Sequence, residues 1–403
     1  MRVLQLNVVY RRGSTGMIVH WIHDGLKRYG HDSIVCYGRK RVSKEENVFK
    51  ISSEFEAKFH ALLTRLTGRM YLYSFFSTRK AISLIKFLKP DIVHVHCLNG
   101  WFINIHKLFD FLKEGNIRTV LTLHAEFMFT GNCGHSYDCD KWRTGCGKCP
   151  NLKEATTSLI LDRTAEEWQR MKQSLSGFEK LAIIAVSEWL AKRARLSPIF
   201  EELPVTVIWN GVDTDVFRPV ATERLKKLHK IDDQKVILHV TPAFSNPSKG
   251  GQYVLELARR LDSKLYKFII VGYNLRKGNL PANVIPVMHT SNLLELSEYY
   301  SLADLTLLTS KRETFSLVTA ESLCCGTPVV GFRAGGPEEI AMKDYSEFVN
   351  YDDIDSLEVV IKTWSRRSSY RSDISHSASA LYSKRRMVDK YLETYRRLLE
   401  SSL

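Results

Sequence analysis

The chain has 403 residues, of which 44% are hydrophobic and 25% charged, with a formal net charge of +14. Those proportions belong to an ordinary globular chain, and the length predicts two or three domains at roughly 150 residues each. No apolar run approaches the roughly 18 residues that a membrane-spanning helix needs.

Met1-Arg-Val-Leu-Gln-Leu-Asn-Val-Val9, with Arg11 and Arg12 behind it, reads as a first strand rather than a signal peptide, so a cytoplasmic chain is expected. The charge is uneven. Residues 1–210 carry 31 Lys and Arg against 20 Asp and Glu, a net of +11; residues 211–403 carry 27 against 24, a net of +3. The basic half suits an anionic partner: a membrane surface or a lipid diphosphate fits, and so does a solvated surface with no partner. No RNP, zinc-finger or helix-turn-helix pattern accompanies it, so nucleic acid is not the expected partner.

After the first strand comes the polar turn Arg11-Arg-Gly-Ser-Thr-Gly16, then a helix with Ile18, Trp21, Ile22 and Leu26 at helical spacing. The turn lacks a G-x-G-x-x-G pattern, and Gly13 and Gly16 fit either a ligand loop or plain backbone geometry. Residues 54–89 read as helical and basic, with Phe59, Leu62, Leu63, Leu66, Tyr71, Phe75 and Phe76 among seven Lys and Arg. Aromatics beside cations suit a bilayer interface, and they suit a helix core with a solvated face equally well. Pro90-Asp-Ile-Val-His-Val-His96 and Arg118-Thr-Val-Leu-Thr-Leu-His124 are buried strands, and a histidine at the carboxyl end of a parallel strand stands at the ligand edge of its sheet.

Four of the eight cysteines, Cys133, Cys139, Cys146 and Cys149, fall within residues 131–152. In a reducing compartment such a cluster suggests metal rather than disulfides, and four thiolates would fill a structural zinc site, with independent reduced thiols as the alternative. A second α/β run starts at Lys235-Val-Ile-Leu-His-Val240 and continues into a loop ending Lys249-Gly-Gly251, where Lys249 can reach a diphosphate as a point charge.

Ala303-Asp-Leu-Thr-Leu-Leu-Thr309 reads as a buried strand, followed by the polar turn Lys311-Arg-Glu-Thr314 and a helix from Phe315 to Gly326-Thr-Pro328. A helix that starts at the carboxyl end of a parallel strand offers free amides and its positive dipole end to a phosphate. Glu313 and Glu321, with seven residues between them, are acceptors suited to sugar hydroxyls. A phosphate beside sugars is a nucleotide-sugar.

Glu313-Thr-Phe-Ser-Leu-Val-Thr-Ala-Glu321, with Cys325-Gly-Thr-Pro-Val-Val330 and Gly335-Gly-Pro-Glu-Glu339, resembles the E-x7-E region of family 4 glycosyltransferases, and the cysteine-containing insertion resembles those of the capsule and colanic-acid type. That resemblance implies an α/β chain of GT-B fold: two doubly wound Rossmann-like domains facing across a cleft, with a last helix crossing back to the first. Residues 1–212 would be the acceptor-side domain, 213–380 the donor domain and 381–403 the crossing helix. It further implies donor-binding amides at Phe315, Ser316, Leu317 and Val318, a ribose contact at Glu321, a sugar-side carboxylate at Glu313 and a cleft histidine at His124. Gly16 would line the cleft, and Lys249 would hold the donor diphosphate. The family pairs that lysine with an arginine where this chain has Pro242-Ala-Phe244, so either Lys249 and the helix amides suffice for the diphosphate or another cation, Arg312 or Arg276, compensates. The turn is also crowded, with Thr314 and Ser316 where the family has glycine.

The function so implied is retaining hexose transfer from a UDP- or GDP-sugar to a lipid-diphosphate-linked oligosaccharide, at the inner face of the cell membrane, without a catalytic cofactor. A nucleotide-sugar epimerase or hydrolase of the same fold is the alternative, and a zinc-containing nucleic-acid-binding protein a remote one.

Overall fold

The computed structural model describes residues 1–153, 157–275, 280–367 and 371–400. The chain divides into two compact units, one of Met1–Trp209 with Met387–Leu403 and one of Asn210–Arg386.

Unit one carries strands β1 Arg2–Asn7, β2 Asp32–Tyr37, β3 Val48–Lys50, β4 Ile92–Val95, β5 Thr119–Leu123, β6 Leu181–Ala185 and β7 Val205–Val207. Helices α1 Gly13–Arg28, α2 Glu54–Thr67, α3 Phe75–Leu88, α4 Ile105–Glu114, α5 Thr164–Leu175 and α6 Glu188–Arg195 lie among them. Unit two carries β8 Lys235–Val240, β9 Tyr266–Val271, β10 Val284–Val287, β11 Leu305–Leu308, β12 Val329–Phe332 and β13 Ser346–Val349. Its helices are α7 Glu223–His229, α8 Gly251–Arg260, α9 Leu293–Leu302, α10 Leu317–Cys324, α11 Pro337–Ile340, α12 Ile354–Trp364 and α13 Arg371–Tyr382; α14, Lys384–Glu400, returns to unit one.

Every strand pair in both sheets is parallel. That is why runs such as Leu181-Ala-Ile-Ile-Ala185 and Phe268-Ile-Ile-Val271 are apolar without alternation: helices cover both faces. The strand orders are 3-2-1-4-5-6-7 in unit one and 10-9-8-11-12-13 in unit two. In each, the connection direction reverses beside the first strand, between β1 and β4 and between β8 and β11. Loops leaving the carboxyl ends of those strands diverge there, which opens a crevice at that edge.

Helix α14 completes the core of unit one. Met387, Val388, Tyr391, Leu392 and Tyr395 recur at helical spacing and are all buried against Val3, Ile18, Ile22, Ile92 and Val120. Close approach depends on Gly25 of α1, where a Cβ would stand 2.6 Å from Val388. The two tyrosine hydroxyls find partners in the sheet: Tyr395 meets His94 Nδ1 at 2.6 Å and Tyr391 meets Thr122 Oγ1 at 3.1 Å.

Residues 54–89 form two helices, not one basic helical stretch. Gly68 ends α2 in a left-handed conformation at φ 72°, its amide bonding Thr64 at 2.8 Å, and α3 restarts after Ser74. The burial of α2 also runs against its apolar spacing. Ala57, His60, Ala61 and Thr64 face inward, because His60 is satisfied there by Ser74 Oγ and the Met70 carbonyl. Phe55, Phe59, Leu62 and Leu66 are left exposed, as are Phe75, Phe76 and Phe87 of α3. No helix among the described residues is long and apolar enough to cross a membrane.

Burial also keeps a set of unit-one histidines neutral. His23, His60 and His124 are pushed down to about 4, and His94 and His96 well below their ordinary value of 6.5. The unfolded chain therefore binds more protons than the folded one below pH 6.5, and stability falls as pH drops. Each such histidine contributes a slope of about 1.4 kcal/mol per pH unit between its two values. Urea unfolding is expected to show a markedly lower midpoint at pH 5.5 than at pH 7.5, before ordinary carboxylates titrate; equal midpoints would contradict the burial of these neutral rings.

Candidate active site

The loop after β8 and the turn after β11 meet at the switch point of unit two. Asn246 caps a short 3-10 turn, Pro247–Lys249, by accepting from the Ser248 amide, and Gly250 follows at φ 71°. A Cβ on Gly250 would lie 2.1 Å from the Thr309 carbonyl, so only glycine lets this loop rest on the end of β11. Two further bonds tie the segments: Thr309 Oγ1 to the Lys249 carbonyl at 2.9 Å, and the Lys311 amide to the Ser248 carbonyl at 2.8 Å. Lys249 Nζ then donates to Glu313 Oε1 at 2.6 Å, with both side chains 22% exposed.

The backbone around Glu313 is held by the segment after β12. Its amide donates to the Ala334 carbonyl at 3.0 Å, and its carbonyl accepts from Gly336 at 2.9 Å. Glu338 anchors that segment by accepting from the amides of Ala334 and Gly335. A Cβ on Gly336 would stand 2.4 Å from the Thr314 carbonyl, so Gly336 is small because the Glu313 turn lies against it. Glu338 thus positions this turn's backbone, a role that its place three residues after Gly335 signalled.

The helix opens two residues later than the sequence suggests, at Leu317 rather than Phe315. Phe315 is buried at 2% exposure and serves as an anchor for the turn. Ser316 caps α10 at φ 77° and ψ 89°, a left-handed region that glycine occupies at no steric cost, and its Oγ accepts from the Thr319 amide at 3.2 Å. The amides of Leu317 and Val318 belong to the first turn and have no partner within the helix. One turn on, Glu321 accepts from the Tyr300 hydroxyl at 2.9 Å, and burial pushes its carboxyl up to about 7. The structure thus brings Lys249, Glu313 and the start of α10 together, with Glu321 one helical turn behind. Arg312 stands in the same turn beside Glu313, whereas Arg276 lies outside the described residues.

In unit one, His124 follows β5 and its ring nitrogen Nε2 lies 3.2 Å from His96 Nδ1. Gly16 sits inside the first turn of α1, packed on its own loop: a Cβ there would lie 3.1 Å from Val9 Cγ2, and its carbonyl accepts from Arg11 at 3.0 Å. Backbone geometry accounts for this glycine. Gly13 opens the same helix at φ 61°.

The structural zinc does not fit. Cys133, Cys139, Cys146 and Cys149 line one cavity of about 10 Å³, but among the described residues no three His, Cys, Asp or Glu side chains are grouped as a metal ion requires. The thiols find partners inside the loop. Cys133 donates to Cys149, which lowers Cys149 to about 7 and raises Cys133, and Cys146 Sγ accepts from the Gly131 amide at 3.2 Å. What fastens this insertion is a pair the sequence gave no sign of. Glu126, fully buried, meets Arg193 at 3.1 Å and accepts from the Ser136 amide at 2.7 Å.

Two family models cover the chain in tandem. "Glycosyltransferase Family 4" matches residues 16–216 and "Glycosyl transferases group 1" matches residues 221–380. A protein of Escherichia coli (strain K12), provisionally named the colanic acid biosynthesis glycosyl transferase WcaC, is 21% identical over 421 residues, 99% of this chain and all of that one. Among solved structures, sucrose-phosphate synthase from Thermosynechococcus elongatus superposes with a TM-score of 0.73 at 14% identity, covering both chains entirely. Anabaena Alr3699/HepE in complex with UDP-glucose gives 0.69 at 14% identity, over 98% of this chain and all of that one. Likeness at such identities shows the fold, which is that of GT-B enzymes built from two Rossmann-like units.

Ser316 both caps α10 and occupies a conformation suited to glycine. Replacement by alanine keeps the strained φ and loses the cap, at about 1 kcal/mol, whereas glycine costs only a few tenths. Urea unfolding of Ser316→Ala and Ser316→Gly is expected to show that order; equal losses would contradict the role given to the turn.

Proposed function

The chain belongs to the family 4 glycosyltransferases, and from that premise we propose that it is a retaining hexosyltransferase. It would move a sugar from a UDP- or GDP-linked donor to a lipid-diphosphate-linked oligosaccharide in the assembly of a surface polysaccharide. The observation that carries the donor side is the Lys249–Glu313 contact beside the first turn of α10. Lys249 has three N–H donors, so it can keep Glu313 and still meet a phosphate oxygen. The Leu317 and Val318 amides and the positive end of the helix supply further stabilisation as diphosphate charge develops, about 3 kcal/mol per well-placed donor.

Glu313 would face the transferred hexose near the reacting carbon, and Glu321 would accept from the ribose. His124 is assigned to the donor sugar. In the retaining reaction the bond from the anomeric carbon to the diphosphate oxygen breaks and the acceptor oxygen bonds that carbon on the same face. The acceptor proton passes to a leaving phosphate oxygen, so no separate protein base and no metal take part. Support for a nucleotide-sugar comes from the UDP-glucose complex of HepE, and for a surface polysaccharide from the name of the Escherichia coli relative.

Glu313→Ala is expected to lower transfer at least about a hundredfold while leaving the unfolding midpoint within a degree or two of wild type. Wild-type turnover in that variant would remove Glu313 from the mechanism. Incubating donor with no acceptor tests the rival reading, since release of free sugar or of an epimerised donor at the rate of transfer would favour a hydrolase or epimerase.

The acceptor side of this proposal rests on the outward face of α2 and α3. Phe55, Phe76 and Phe87 are each more than 80% exposed, and Lys58, Arg65, Arg79, Lys80 and Lys86 are exposed around them. A groove of about 1080 Å³ lies there, lined by Phe55, Phe59, Phe76 and Lys80. Aromatic side chains ringed by cations suit an anionic bilayer, where the rings enter the headgroup level and the cations meet lipid phosphates. The protein is expected to sediment with vesicles containing phosphatidylglycerol and not with phosphatidylcholine alone, and Phe55→Ser/Phe76→Ser to weaken that binding. Equal recovery with both vesicle types would count against this face as the membrane contact.

A further inference from the structure

A buried tyrosine of unit two stands beside Glu321. Tyr300 lies in the last turn of α9 with its side chain wholly buried, and its hydroxyl donates to Glu321 Oε2 at 2.9 Å. Among the described residues this is the one hydrogen bond that the Glu321 side chain makes. Its other oxygen, Oε1, is not sealed away, and the residue keeps part of its surface open. An ionised carboxylate accepts on both oxygens. One oxygen is tied inward to the phenol, and the other has room for a ligand.

The phenol is itself held in place. Phe217 meets the Tyr300 ring edge-on at 6.1 Å between centroids, and the Tyr300 carbonyl accepts from Thr327 Oγ1 at 2.6 Å. Thr327 is wholly buried, and Arg371 donates both to its hydroxyl at 2.9 Å and to the Ala303 carbonyl at 2.6 Å. The threonine of Gly326-Thr-Pro328, just past α10, therefore fastens the end of α9. Burial pushes the Glu321 carboxyl up to about 7, and the Tyr300 hydroxyl is the group that opposes this. Burial and the neighbouring Glu321 also push the phenol well above its ordinary value, so it stays protonated and remains the donor.

We propose that Tyr300, held by Thr327, is a positioning residue that sets the Glu321 carboxylate for a ribose hydroxyl, so that the site prefers a ribonucleotide to one lacking those hydroxyls. The ribose as partner of Glu321 rests on the function proposed above. A glutamate side chain is long, and an oxygen free to swing meets a hydroxyl only part of the time. Tying Oε2 to a fixed phenol orients the carboxylate before the ligand arrives, which removes that ordering cost from binding. The same bond favours the ionised carboxylate, the stronger acceptor, in a place where burial favours the neutral acid. Selection of the sugar is thus set by a residue that does not touch it.

Tyr300→Phe keeps the ring and removes only the O–H. Isothermal titration of the full chain and of this variant at pH 8, above the value that burial gives Glu321, reads the preference as a ratio of affinities. The ligands are UDP, GDP and their 2′,3′-dideoxy counterparts. The wild-type chain is expected to bind one ribonucleotide at least about tenfold more tightly than its dideoxy counterpart, as a hydrogen bond to a charged group allows. Tyr300→Phe is expected to bring that ratio to about threefold or less, with affinity for the dideoxynucleotide at its wild-type value. An unchanged ratio overturns the proposal, and so does an equal loss for both nucleotides, which is what general damage to the fold gives. If Tyr300→Phe does not fold, Thr327→Val decides in its place, because it keeps the phenol and frees the end of α9. A lowered ratio then supports the proposal, and a wild-type ratio overturns it. The two readings fail separately. A wild-type chain that binds ribo- and dideoxynucleotides alike removes the ribose contact from Glu321 itself, whereas a preference that survives Tyr300→Phe keeps that contact and overturns the role of Tyr300.

Discussion

The contact between the Lys249 ammonium and the Glu313 carboxylate depends on almost everything else in unit two. Parallel pairing of β8 with β11 brings two loops to one edge, and Gly250 lets the first lie flat on the end of the second. Glu338 holds the segment that in turn holds the Glu313 backbone. As a source of stability the pair is minor, since ion pairs open to solvent contribute about 1 kcal/mol or less. Its value is positional. It keeps a cation and a carboxylate at fixed places beside the first turn of α10.

The same edge logic recurs in unit one with different chemistry. There the switch point between β1 and β4 is lined from behind by neutral, fully hydrogen-bonded groups: Gln5, His94, His96 and Thr122. The returning helix α14 closes this layer with Tyr391 and Tyr395. Burying five unit-one histidines costs acid stability. In exchange the ring nitrogens of His94 and His96 all have hydrogen-bond partners. Unit two uses charge at its edge, and unit one uses oriented neutral hydrogen bonds.

Much of this could be read from the residues. The apolar runs ending in Ser, Thr or His gave the parallel strands, and Glu313 to Glu321 with its flanking Gly-Thr-Pro and Gly-Gly-Pro-Glu-Glu segments gave the family. What escaped the reading depends on tertiary contacts. The apolar spacing of Phe59, Leu62 and Leu66 suited a buried face or a bilayer-facing one; His60 and Thr64 are the residues with partners inside, so α2 turns its large side chains outward. The cysteine spacings said nothing of Glu126 and Arg193, which fasten that loop, and of the two readings they left open, zinc and reduced thiols, the described residues do not support zinc. Glycines were ambiguous for the same reason. Gly16 is explained by its own loop, whereas Gly250 is needed because a carbonyl from another strand lies 2.1 Å from where its Cβ would be.

At the centre is the claim that the diphosphate is the part of the donor this edge grips. Isothermal titration of the wild-type chain with UDP, GDP and the corresponding nucleosides measures that grip directly. The account predicts that one diphosphate binds at least about a hundredfold more tightly than its nucleoside, which is roughly 2.7 kcal/mol from the Lys249 ammonium and the α10 amides. A nucleoside that binds as well as its diphosphate would contradict it.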